Sequence, residues 1–154
     1  MSTASIPESS RDFLVAQWDQ AWEKGLWAAP WSRVLEGLTP QQAAWKPEPE
    51  RHSIWQILNH MVFWRWYVVH RLRGGELLSP DEVSRRNFAE PTRVDEASWS
   101  GAAANFGVSH RDARAALADP SLDLTNLAHM AAHDSYHVGQ IMVLRSMQGM
   151  AVID

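Results

Sequence analysis

Two histidines four residues apart lie in an otherwise apolar helical stretch near the end of the sequence. The segment reads HDSYHVGQI and contains His133 and His137. In a helix both rings leave the same face, with Cβ atoms about 6 Å apart. Such a pair can bind one divalent metal ion. Firm binding needs a third ligand, for which His60 is the best candidate.

The polar residues of this stretch predict a buried site. At about 100° per residue they fall in one narrow stripe, made of Asn126, His129, His133, His137 and Gln140. The other residues up to Leu144 are nearly all apolar, and Asp134 is the only charged one. A helix that is apolar on most sides is buried, so its polar stripe needs partners inside the protein. These partners are a metal or hydrogen bonds, and the pattern favours a metal.

Helix geometry limits which histidines can share an ion. His129 and His137 are about 12 Å apart along a helix axis, too far for bonds of about 2.0–2.1 Å to one ion. The helix therefore supplies either the pair 129/133 or the pair 133/137. His60 has apolar helical neighbours and by itself is typical of a core histidine. Its combination with the second stripe favours a ligand.

Three neutral imidazoles would leave a coordination position open. The bound ion would be a Lewis acid that lowers the pKa of a bound water or thiol to about 7 or below. Zinc is the first expectation, and nickel, iron and manganese also suit such ligands. The glutamate of an HExxH motif is absent, and Asp134 points about 100° away from the stripe. The general base of helix-borne metalloproteases is therefore missing.

Helices must position these residues. Ser9 or Ser10 can begin the first helical segment, which could extend to Leu38 with a break between Gly25 and Pro30. Three further helices are predicted from Ser53 to the stop signal Gly74–Gly75, from about Asp95 to Ala118, and from a cap at Thr125 or Asp123 to Gly149. Residues 76–94 show no periodicity and are expected to form a long loop over one end of a helical bundle, as lids often do.

Composition is typical of a single domain. The 154 residues predict a polar leader over 1–8, one helical domain over 9–149 and a tail over 150–154. A formal net charge of −4 without any basic run argues against nucleic-acid binding. Polar residues interrupt the apolar stretch 54–72, and residues 1–8 have no apolar core, so neither a membrane span nor a signal peptide is expected. These features favour a cytoplasmic protein.

The apolar surface of the helices has two consequences. Nine tryptophans are best explained by packing between helices, although Trp64, one turn after His60, could form a wall of the metal pocket. The second and fourth predicted helices have apolar residues around more of their circumference than the other helices of one bundle can cover. A homodimer is therefore expected.

Three stretches of the sequence resemble one known family. They are LTPQQAAWKP at 38–47, HSIWQILNHM at 52–61, and the two-histidine segment continued to Arg145. Together they are similar to the DinB-like (DinB/YfiT) superfamily of metalloenzymes, which is distinct from the DNA polymerase that shares the name. The resemblance implies an all-α, up-down-down-up four-helix bundle with a long crossover. It also implies that His60, His133 and His137 are metal ligands and that His129 is their neighbour.

The resemblance also narrows the chemistry. The superfamily includes thiol transferases that use bacillithiol or mycothiol and an isomerase that uses mycothiol. We therefore expect an enzyme that transfers a low-molecular-weight thiol to an electrophile or hydrolyses a small substrate. In that case Tyr136 and Gln140 would support the ligands or line the pocket, and Trp64 and Tyr67 would form walls for the substrate.

Two alternatives have no turnover. A helical bundle with inward histidines can hold noncovalent haem, or a metal for stability or sensing. Covalent haem is excluded because no CxxCH motif occurs. Alternatively, the stripe is a buried polar network and the protein a dimeric, stress-related scaffold.

Overall fold

The computed structural model describes residues 9–153. All regular secondary structure in this range is helical, which confirms the predicted all-α class, and no strand occurs there. One 3₁₀ turn, Trp31–Arg33, accompanies six α-helices: α1 Ser10–Glu23, α2 Pro40–Ala44, α3 Ile54–Leu72, α4 Pro80–Arg86, α5 Glu96–Ala118 and α6 Leu124–Met147. The predicted leader, residues 1–8, lies outside the described residues.

Side-chain caps begin the long helices where the sequence predicted them. Ser53 accepts a hydrogen bond from the Gln56 backbone N–H at 3.2 Å, and the Gln56 side chain accepts one from the Ser53 N–H. This reciprocal capping box satisfies two backbone donors that the helix leaves unpaired. Of the two alternatives for α6, Asp123 is the cap, because its carboxylate accepts from the Thr125 N–H at 2.6 Å.

The first predicted segment breaks where expected. α1 ends at Glu23, and Gly25 adopts the left-handed region with φ +67°. A side chain at Gly25 is excluded, because a β-carbon there would lie 1.8 Å from the carbonyl oxygen of Ala28. Beyond the break the chain forms a 3₁₀ turn and further turns, so the helix does not continue to Leu38.

The prediction of an unstructured loop over 76–94 was wrong in part. Residues 80–86 form α4. Ser79 and Glu82 form a capping box at its start, and Pro80 is its first residue. No residue of α4 is buried. Hydrophobic periodicity is therefore absent from this helix, although its cap could have been recognised from the SPDE sequence alone.

The four long helices pack around one core. α3 contacts both α5 and α6, and α1 contacts the same two helices. Fully buried side chains at the centre include Trp18, Leu58, Met61, Leu117 and Ile141. Ile153, from the predicted tail, is also buried in this core. The up-down-down-up order of helix directions and the homodimer stay predictions.

Among residues 9–153, no helix combines the length and the apolar character needed to cross a bilayer.

A histidine is buried between tryptophans in the core. His110 of α5 is 5% exposed, and its ring stacks on Trp22 and Trp18 with centroids 4.0 and 5.3 Å apart. Burial, reinforced by the positive charge of Arg65, lowers the pKa of His110 to about 4. The ring is therefore neutral in the folded protein at pH 5, whereas in the unfolded chain it would be protonated.

His110 makes folding stability pH-dependent. Between pH 6.5 and 4 the unfolded chain binds a proton that the folded chain does not, so stability falls as pH falls through this window. When the pH falls from 7.5 to 5, the free energy of unfolding should fall in both proteins. We expect this fall to be smaller in His110→Leu than in wild type, by up to about 2 kcal/mol. Urea unfolding at the two pH values measures this difference. Identical losses in both proteins would contradict it.

Candidate metal centre

Three histidines from two helices converge in the bundle. Nε2 of His60 in α3 lies 2.9 Å from Nε2 of His133 in α6. One ring nitrogen each from His60, His133 and His137 lies within 4.8 Å of the others. Nitrogens that share one ion at about 2.0–2.1 Å are separated by roughly 2.8–3.4 Å in octahedral or tetrahedral geometry. The distance between His60 and His133 falls in this range, and the three histidines together could hold a single ion. The group contains the pair 133/137.

Hydrogen bonds determine which nitrogen of His60 is free. Its Nδ1 lies 2.6 Å from Oδ1 of Asn87, which also accepts a hydrogen bond from Nε1 of Trp64 at 3.1 Å. The indole N–H can only donate, so Asn87 presents its oxygen here. His60 therefore donates from Nδ1 and keeps its lone pair on Nε2, the atom that faces His133.

The two histidines of α6 are held in the same way. Nδ1 of His133 lies 3.0 Å from a carboxylate oxygen of Asp134, and Nδ1 of His137 lies 2.7 Å from Oε1 of Gln140. Gln140 in turn donates from Nε2 to the hydroxyl of Tyr136 at 3.1 Å, while its amide oxygen faces His137. All three rings thus donate from Nδ1 and present Nε2, as metal-ligating histidines do.

The donor set fits a metal ion. When each ring carries a single proton on Nδ1, the Nε2 lone pairs of His60 and His133 face each other at 2.9 Å without a hydrogen between them. A cation between these atoms removes the repulsion. Two of the three rings favour the neutral form that can accept it, because burial lowers the pKa of His60 to about 4 and also lowers the pKa of His137.

A buried ion pair lies directly behind His133. The second carboxylate oxygen of Asp134 accepts a hydrogen bond from Nε of Arg65 at 2.6 Å, and the two side chains are 0% and 1% exposed. The Arg65 guanidinium also donates to Ser109 Oγ at 3.1 Å and lies 4.4 Å from the ring centroid of Phe106. Asp134 therefore contacts the buried guanidinium of Arg65 with one carboxylate oxygen and orients the ring of His133 with the other.

The segment after α4 lies against the other side of the cluster. The Phe88 ring stacks on His60 with centroids 3.9 Å apart, and on its opposite face stacks on His52, also at 3.9 Å. Phe88 has a left-handed φ of +51°, which is unfavourable for a bulky residue. Its carbonyl accepts a hydrogen bond from Nε2 of Gln56 at 3.1 Å, which fixes this conformation.

A cavity of about 500 Å³ opens beside the cluster. The three candidate ligands line it. Four other residues that the sequence analysis singled out also line it, namely Trp64, Asn126, His129 and Tyr136. Tyr67 does not line this cavity, and its hydroxyl accepts a hydrogen bond from the Leu78 N–H at 3.3 Å.

Sequence reasoning did not identify four residues that shape the site. They are Asn87, Phe88, Arg65 and Asp134. A signal existed for two of them, because one isolated arginine and one isolated aspartate in two apolar helices are expected to pair. Asn87 and Phe88 lie in a segment without periodicity, and nothing in the sequence links them to His60.

A helical fold with three inward histidines around a small cavity defines a metal-binding class of bundle. The model of the DinB superfamily matches residues 27–141 and includes all three histidines. The chain belongs to this superfamily, as its sequence resemblance predicted. No significant match was found among curated proteins or among solved structures.

The ion pair behind His133 can be tested by an isosteric change. Asp134→Asn leaves the buried charge of Arg65 without its partner, so we expect a loss of about 3–5 kcal/mol in the free energy of unfolding. The affinity for zinc should also fall about 10–100-fold, because His133 loses its charged acceptor. Urea unfolding and zinc titration against a chelator measure the two effects.

The half-exposed pair between Arg114 and Asp19 is a matched control. Asp19→Asn should cost less than about 1 kcal/mol and leave zinc affinity unchanged. Equal effects of the two substitutions on zinc affinity would show that Asp134 does not support the site.

Proposed function

We propose that this protein is a divalent-metal-dependent enzyme whose ligands are His60, His133 and His137. The observation that carries the proposal is the common orientation of the three rings. Each Nδ1 atom is held by a side-chain oxygen at 2.6–3.0 Å, and one ring nitrogen of each histidine lies within 4.8 Å of the others. A polar network without a metal would not require the Nε2 atoms of His60 and His133 to face each other at 2.9 Å.

When bound, the ion supplies a Lewis acid that makes a thiol or water acidic enough to lose its proton near neutral pH. Three imidazoles are compatible with zinc, our first choice, and with nickel, iron or manganese. The chain contributes no carboxylate ligand in this group. Neutral ligands leave the positive charge of the ion uncompensated, which favours an anionic partner such as a thiolate.

The cavity beside the cluster supports an organic substrate. Trp64, Val68 and Met130 form apolar parts of its wall, whereas Tyr136 and His129 are polar groups at its edge. Because the Tyr136 oxygen accepts from Gln140, its own O–H is free to donate to a substrate. Apolar walls and a few polar groups are typical of small-molecule sites.

We infer thiol transfer as the reaction most consistent with this site. The sulfur of a low-molecular-weight thiol would form a bond to carbon of an electrophile, the leaving group would depart with its bonding electrons, and the thiol proton would pass to solvent. Membership of a superfamily that includes bacillithiol and mycothiol transferases supports this reaction. Hydrolysis of a small substrate is the related alternative, and a metal-binding bundle without turnover is the non-catalytic one.

The ligand assignment predicts which substitutions release the metal. Elemental analysis of tag-free wild type should find about one ion per chain, and His60→Ala and His137→Ala should lose most of it. His129→Ala should retain it, because His129 lies in the cavity wall and outside the three-histidine group. A wild type that holds no metal after reconstitution with zinc and with nickel would contradict the proposal.

Thiol transfer is tested separately with protein of known metal content. We expect metal-loaded wild type to accelerate conjugation of bacillithiol, mycothiol or glutathione to monochlorobimane, measured by fluorescence. Chelator-treated protein and His60→Ala should react at the rate of protein-free solution, whereas Asp19→Asn should match wild type. A metal-loaded protein that accelerates none of these reactions would favour hydrolysis or the non-catalytic alternative.

A further inference from the structure

A second and larger cavity adjoins the metal cavity. It is a groove of about 910 Å³, and Tyr136 lines both spaces. Where the groove faces the cluster, its wall contains Phe88 and Gln140. Phe88 stacks on His60 and Gln140 is hydrogen-bonded to His137. The groove is therefore lined in part by side chains that contact the candidate ligands His60 and His137.

The floor of the groove is apolar and accessible. Val143 and Met147 of α6 line it and are 59% and 57% exposed, above the buried side chains of Ile57 and Leu144. Large apolar side chains that are exposed on one helix face indicate a surface that binds another molecule. Their position beside a reactive site favours the body of an organic molecule.

A glycine in the middle of α6 leaves room for this occupant. Gly139 lines the groove, and a β-carbon placed there would have no other residue's atoms within 4 Å apart from its neighbours in the chain and the helix backbone. Glycine in a helix interior costs about 1 kcal/mol relative to alanine. The open space at Gly139 lies on the groove face of α6, so a molecule in the groove can approach the helix backbone closely there.

The rim of the groove carries charge of predominantly one sign. Glu48, Glu50 and Arg51 line it from one loop, so its charged lining residues are two acidic and one basic. No ion pair among the described residues occupies either carboxylate, and the nearby Lys46 is paired with Glu90. An ammonium group complements this rim. The aromatic faces of Phe88 and Tyr136 also suit a cation.

We propose that the groove is a binding site for small organic molecules that combine an aromatic or aliphatic body with an ammonium group. The body lies on the apolar floor of α6, and the ammonium lies at the acidic rim. The further role of the groove, to hold one end of a substrate whose other end reaches the histidines, rests on the proposed function. Binding to the groove does not, so it is tested on metal-free protein.

Three probes with the same phenyl body and similar length separate the contributions of body and charge. They are 3-phenylpropylamine, 3-phenylpropionate and 3-phenyl-1-propanol, titrated at pH 7 and followed by the backbone amide signals of α6, including Gly139. We expect the ammonium to bind about fivefold more tightly than the carboxylate, with the alcohol between them. Equal affinity of the three probes, or no binding of any, would overturn the proposal.

Gly139→Leu fills the groove and should raise the helix propensity of α6, so the variant is expected to fold. All three probes should then bind at least about tenfold more weakly. Gly107→Leu in α5 is the matched control, because Gly107 lines neither cavity and a β-carbon there makes only an ordinary 3.6 Å contact with Arg111. The control should bind the probes as wild type does.

The acidic rim is tested by Glu48→Gln combined with Glu50→Gln. This variant should lose the preference for the ammonium and keep its affinity for the alcohol.

A second copy of the chain is the competing occupant of the groove. Sedimentation that finds a wild-type dimer dissociated by Gly139→Leu, together with absent probe binding, would assign the groove to self-association. Metal content is measured independently, so failure at the groove leaves the proposed metal site standing, and the reverse also holds.

Discussion

The buried ion pair between Arg65 and Asp134 is the interaction on which the site depends. Removing two charges from water costs several kcal/mol per ion, and only close geometry and further hydrogen bonds offset it. Arg65 has these partners on α5, and Asp134 has one in His133. The pair therefore joins α3 to α6 inside the core. His60 and His133 meet across the same two helices, one on each.

Each histidine also depends on a different part of the chain for its orientation. His133 and His137 are supported by residues of their own helix, Asp134 and Gln140. His60 is supported by Asn87 and Phe88, which lie about 27 residues further along the chain in the segment after α4. A left-handed conformation at a bulky residue costs on the order of 1 kcal/mol. Stacking on two imidazoles and the hydrogen bond to its carbonyl offset that cost at Phe88.

Local sequence patterns predicted most of the helical framework. Ser53 and Gln56 form the capping box that begins α3, and Gly74 ends this helix region with a φ of +83°. Such signals operate over a few residues and can be recognised without knowledge of the fold. α4 was missed because it buries no side chain, so it has no hydrophobic period, and only its cap marks it.

By itself, the sequence determined that His133 and His137 share one face, because helix geometry relates residues four positions apart wherever the helix lies. It also indicated that a polar stripe on an apolar helix must have buried partners. The tertiary structure alone decided that Asn87 supports His60, that Asp134 pairs with Arg65, and that a groove lies beside the cluster. These relations join residues distant in the chain, and they depend on how whole helices pack, which no local period specifies.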